Sequence, residues 1–132
     1  MEFLNVVAAA IASFAFGAVW YTVFAKPWMS LSGVELDPTG QQPANRSDPV
    51  PYITSFLASV LVAGMMRHIF VLSSIDSAGK GIMAGFGIGL FLVTPWIATF
   101  YGFGGKPRQL LLIDGGYATL GCTIIGLVLT LF

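Results

Sequence analysis

Four apolar stretches, each about twenty residues long and almost free of charge, constrain this chain more than anything else in it. They run roughly over Phe3–Phe24, Tyr52–Leu72, Gly81–Tyr101 and Leu110–Phe132. A helix rising about 1.5 Å per residue needs about 20 residues to cross roughly 30 Å of hydrocarbon. No water reaches the backbone there, so each segment must satisfy its own N–H and C=O groups, as a helix or as part of a closed barrel. The alternation of a barrel strand is absent. The chain therefore reads as an all-α integral membrane bundle of four transmembrane helices, two helical hairpins in a single domain over 1–132, with a polar loop over 29–51. Composition agrees: of 132 residues, 56% are apolar and 9% charged, against about 25% charged in a soluble domain. Six basic and six acidic residues cancel, which argues for a lipid bilayer as the main partner and against nucleic acid.

The first segment opens Met-Glu-Phe-Leu-Asn, lacks a basic n-region and is too long for an h-region, so it reads as a span rather than a signal peptide. Loops one and three carry Lys26, Arg46, Lys106 and Arg108, while the other side carries Lys80 and Arg67. By the positive-inside rule, loops one and three are expected in the cytoplasm and both termini outside. Loop one, from about Trp28 to Pro51, holds Pro38, Pro43, Pro49 and Pro51 and reads as a turn-rich connector without apolar periodicity. Both hairpins turn through an aromatic followed by Lys-Pro, at 24–27 and 103–107. Such strings commonly end a span and are too short to establish a duplicated unit.

Lipid tails are as apolar as leucine, so helices pack where small residues let backbones approach. Each span offers a stripe at four-residue spacing: Ala9, Ser13, Gly17; Ser55, Ser59, Ala63; Gly81, Gly85, Gly89; and Ala118, Cys122, Gly126. Packing within one bundle is expected of them. Pro95 lies inside the third span, where it removes a donor and crowds the carbonyl of Phe91. A kink is expected there, with Thr94 and Thr99 able to satisfy the freed groups.

Motifs for chemistry are poor. The 102–107 glycine-lysine string has Pro107 where a phosphate loop needs Ser or Thr, and Gly85–Gly89 follows no strand. With one histidine and one cysteine, Cys122, no cofactor or metal is expected, and the inventory argues against an enzyme. Arg67-His68 is most simply read as snorkelling to the surface. What stands out is an asymmetry: Trp20, Trp28, Trp96, Tyr21, Tyr52, Tyr101 and Tyr117 all fall in the half facing loops one and three, whereas aromatic belts normally mark both interfaces. Asp114 lies in that half as well, with Lys26, Lys106 and Arg108 nearby. An intramembrane carboxylate is a functional candidate by default, but it also fits a helix cap at the positive dipole end or an ion pair with one of those cations. The candidate binding or structural polar site is thus Asp114, Tyr117, Lys106, Arg108, Lys26, Trp20, Tyr21 and Trp28, with Tyr21, Tyr52 or Tyr117 as the expected hydroxyl donors.

Gly17-Ala18-Val19-Trp20-Tyr21, then Lys26-Pro27-Trp28-Met29 and Gly33, and later Ile113-Asp114-Gly115-Gly116-Tyr117 with the apolar run Ile124–Leu129, resemble a bacterial family of small four-span membrane proteins catalogued as domain of unknown function 1761. The resemblance covers essentially the whole chain. It implies four spans and a bacterial inner-membrane location, and it brings no activity, cofactor or catalytic residue. The expected function is that of a non-catalytic accessory or scaffold subunit docking to other membrane subunits. The alternative is a small homo-oligomeric transporter or channel, for instance a homodimer with Asp114 duplicated across its axis.

Overall fold

A computed structural model of the chain describes residues 2–132. Six α-helices follow in order: α1 (Glu2–Val23), α2 (Ala25–Ser32), α3 (Val50–Leu72), α4 (Ala78–Ile88), α5 (Thr94–Gly104) and α6 (Arg108–Leu129). A single π-helical turn, Gly89–Val93, joins α4 to α5, so the two make one span. Four helices are then long and apolar enough to cross a membrane: Phe3–Val23, Val50–Leu72, Ala78–Phe103 and Arg108–Leu129. The described residues hold no strand, only an isolated bridge between Leu36 and Pro43 in loop one.

The loop expected to begin at about residue 29 begins later, because helix continues to Ser32. Pro27 has no N–H to give and would crowd the carbonyl of Val23, so α1 ends there and the chain restarts as α2 after Phe24. Phe24 holds an intermediate backbone (φ −100°, ψ 20°). At the other end Gly33 takes the left-handed conformation (φ 71°), which glycine adopts without cost to a Cβ. Lys106 Nζ from loop three donates to the Ser32 carbonyl at 3.0 Å, placing a cation on the negative end of α2.

Pro95 is accommodated by the wide turn before it. The Thr94 N–H reaches back to the Gly89 carbonyl, five residues away, and so avoids the register in which the Pro95 ring would strike the Phe91 carbonyl. The Thr94 hydroxyl donates to the same Gly89 carbonyl at 2.7 Å and Thr99 Oγ1 to Pro95 O at 3.0 Å, so neither reaches the Phe91 carbonyl, contrary to the expectation from the sequence.

α6 is the hub. It packs against α1, α4, α5 and the π turn, and more lightly against α2 and α3. The closest approach is on the third span, where the glycine stripe meets α6 backbone to backbone. A Cβ on Gly85 would fall on the Cys122 carbonyl oxygen, one on Gly81 on the Gly126 carbonyl oxygen, and one on Gly89 within 2.5 Å of Thr119 Cα. α1 supplies fully buried Ala9 and Ala10, and α3 fully buried Ala63. In the half of the bundle holding the termini these elements close into one apolar core of Val6, Ala9, Ala63, Met66, Phe70, Cys122, Ile125 and Leu129. Toward loops one and three, α3 and the third span are not packed side by side. A cleft of about 270 Å³ lies between them, floored by α6 and α1.

Candidate functional site

Asp114 is the seventh residue of α6, and the helix is capped by extended Pro107 without a side-chain hydrogen bond. The capping role considered for Asp114 is therefore excluded: its carboxylate lies nearly two turns, roughly 9 Å, beyond the start of the helix. An ion pair is excluded as well. Among the described residues the only salt bridge is Lys80–Asp76 at 3.2 Å, on the surface at the opposite end. Lys106 is engaged with Ser32, and Lys26 and Arg108 are exposed.

What meets the carboxylate is a pair of phenols. Tyr21 Oη from α1 donates to Asp114 Oδ1 at 2.5 Å, and Tyr101 Oη from α5 donates to Oδ2. Tyr21 was among the expected donors; Tyr52 and Tyr117 do not serve. Tyr52 donates instead to the Arg46 carbonyl in loop one at 3.2 Å. Tyr101 escaped the sequence reading, although a signal was present. The tight turn between Gly104 and Arg108 sets α5 and α6 antiparallel, which brings positions 101 and 114 to similar depth.

The remaining aromatic residues build the frame. Trp20 Nε1 donates to the Ile113 carbonyl at 2.9 Å, tying α1 to α6 one residue from Asp114. Its indole lies over Gly116, where a Cβ would stand 2.8 Å from Cζ2. Tyr117 reciprocates by lying over Gly17, where a Cβ would stand 2.9 Å from its ring. Tyr117 stacks on Phe16 with centroids 6.2 Å apart and meets Tyr21 edge-on at 5.4 Å; Trp28 of α2 closes the other edge of Tyr21 at 6.1 Å. The strings Gly-x-x-Trp-Tyr and Asp-Gly-Gly-Tyr thus interlock, Gly17 and Gly116 each making room for the other helix's aromatic. Trp96 takes no part, being 65% exposed on the outer face.

This polar group sits at one end of the cleft. Tyr21, Ser55, Asp114 and Tyr117 line that end, Ser13 and Ser59 the middle, and Ile125 the far end. Ser59 Oγ donates to its own helix, to Ser55 O at 3.0 Å. The site thus combines hydrogen-bonded phenols around a carboxylate with a partly apolar trough leading away from it.

The fold and this site define an α-helical, multi-pass class of membrane protein with a polar knot near one interface. Within that class the chain belongs to the family described as "Protein of unknown function (DUF1761)", whose model matches residues 4–130. No curated protein and no solved structure matches the chain.

Proposed function

We propose that this protein is a non-catalytic subunit of the bacterial inner membrane that docks to a larger membrane complex through the outward faces of its second and third spans. Uneven burial supports the reading. Within the apolar window of each helix, 39% of α6 is buried inside the fold, against 22% for α3 and 17% for the third span. Those two spans keep most of their circumference outward, with Leu61, Met83 and Phe91 exposed by 74%, 77% and 71%. Faces of this kind suit helices of a partner as well as lipid tails. The polar loop between α2 and α3 offers a surface for recognition outside the bilayer. In this reading loops one and three are cytoplasmic, by their excess of Lys and Arg. Purification from native membranes in a mild detergent, with size analysis and mass spectrometry, tests it. Reproducible co-migration with a large assembly is expected, and a lone monomer or homodimer overturns it. A thiol placed at Gly40 tests sidedness, and labelling from outside by an impermeant reagent reverses the orientation.

A second reading, a homo-oligomeric transporter, draws on the carboxylate of Asp114, which meets no cation among the described residues. Conduction needs a polar path, yet the cleft ends at Ile125 and the apolar core closes the half beyond it. Solute movement in liposomes that is lost in Asp114→Asn would favour this reading over the first.

A further inference from the structure

We propose that the cleft between α3 and the third span binds an amphiphilic monocation, an ammonium group on a single aliphatic chain, with the ammonium on Asp114 and the chain laid toward the bilayer centre. The head end is set by charge. A carboxylate has about four acceptor positions; Tyr21 and Tyr101 occupy one on each oxygen, and the described residues supply no cation. A charge at this depth is costly unless it is paired, so the complement that the site lacks is a donor carrying positive charge. The Tyr117 side chain lines the same end of the cleft and its hydroxyl makes no hydrogen bond to a described residue, which leaves it free for the same head group.

The tail end is set by dimensions. The cleft follows α6 from Asp114 to Ile125, roughly 16 Å at the rise of a helix, which is about the depth of one leaflet. Its side walls are Ala58 and Val62 of α3 on one side and Val93 and Ile97 of the third span on the other. The volume of about 270 Å³ is too small for a partner helix, of which a single turn about 10 Å across fills roughly 400 Å³. It suits a chain of roughly nine carbons, at about 30 Å³ for each water-sized group. The occupant is therefore a chain rather than a protein segment. The proposal is independent of membership in a larger complex, because the outward faces invoked for docking lie elsewhere on the same helices.

The test is photolabelling of the full chain in phosphatidylcholine vesicles by a primary alkylammonium of about ten carbons with a photoreactive tail, mapped by mass spectrometry. Chain-matched alcohol and carboxylate probes serve as controls. The ammonium probe is expected to label the cleft walls, Ala58, Val62, Val93 or Ile97, about tenfold more than the alcohol, the factor that a charge-assisted hydrogen bond carries. Asp114→Asn should bring it down to the level of the alcohol. Ala58→Leu, an exposed position where a larger side chain is tolerated, should block the tail and lower labelling without touching the carboxylate. Excess unlabelled decylammonium should compete the label away, whereas excess phosphatidylethanolamine, a two-chain zwitterion, should not; competition by that lipid alone overturns the single-chain monocation. Equal labelling by ammonium and alcohol probes overturns it, as does labelling undiminished in folded Asp114→Asn. Should that variant not fold, the probe comparison on the natural chain and Ala58→Leu decide alone, and undiminished labelling of Ala58→Leu overturns the proposal.

Discussion

Gly85→Ala adds one methyl group where the third span crosses α6, and its cost can be worked from what that methyl would meet. The new Cβ would fall on the Cys122 carbonyl oxygen and stand 3.0 Å from both Cys122 C and Thr123 Cα. All three are backbone atoms of the most buried helix, so no side chain can swing aside. The helices must separate by several tenths of an ångström, and the neighbouring contacts at Gly81 and Gly89 open with them. A gap of 0.5–1 Å forfeits about a quarter to a half of each dispersion contact along the seam, and overpacking of this kind costs about 1–3 kcal/mol. Gly87→Ala, two residues on, is the internal control. Nothing lies within 4 Å of its Cβ position, and exchanging a helical glycine for alanine gains about 0.5–1 kcal/mol. Thermal unfolding in mild detergent, followed by loss of the monodisperse peak, should show Gly85→Ala well below the natural chain and Gly87→Ala level with it or above. Equal midpoints for the two variants would refute the account of α4 and α6 as a backbone-to-backbone seam.

Tyr21→Phe and Tyr101→Phe each remove one hydroxyl from Asp114 and should each cost about 1.5–3 kcal/mol, the range for hydrogen bonds to a charged group. The double variant should depart from the sum of the two in a thermodynamic cycle, because both phenols act on one carboxylate; strict additivity would show that they do not share it. Thr94→Val keeps shape but removes the hydroxyl on the Gly89 carbonyl at the π turn, and should lower stability by about 1 kcal/mol; an unchanged unfolding midpoint would show that the backbone alone holds the wide turn. In loop one, the Thr39 hydroxyl on Asp37, with the amides of Thr39, Gln42 and Gly40, holds that carboxyl below its ordinary pKa. A depressed carboxylate supports its turn above the unfolded pKa and loses that support as pH falls through the folded one. The carboxyl resonance of Asp37 should therefore titrate below the usual aspartate range and return toward it in Thr39→Val; an ordinary titration in the natural chain would rule out the turn.

How much of this was legible in the sequence differs between levels for physical reasons. Number and length of the spans follow from apolar runs alone, because a bilayer demands internally bonded helices about 20 residues long whatever packs beside them. The glycine stripe at 81, 85 and 89 foretold close approach for the same local reason: only residues without bulk permit it. The fate of Pro95 was half legible. A distortion at its ring was foreseeable, but the wide π turn, with the Thr94 N–H and hydroxyl both on the Gly89 carbonyl, was not.

Asp114 was visible as a costly charge, but its role was not. The residue pattern offered a cap, one of three cations, or the hydroxyl of Tyr21, Tyr52 or Tyr117, and the long-range geometry chose Tyr21 together with Tyr101, which was not among them. Lys106 is held by the end of α2, a helix the sequence concealed within a proline-rich loop. Tyr21 and Tyr101 come from elements 93 and 13 residues away, and only the antiparallel seating of α1 and α5 on α6 brings them to one carboxylate. The cleft, too, belongs to the tertiary structure. Each helix carries its own apolar pattern, but the space between α3 and the third span exists because both pack on α6 and α1 rather than on each other. A sequence records what each helix can bury, and the choice of neighbour is made by all of them together.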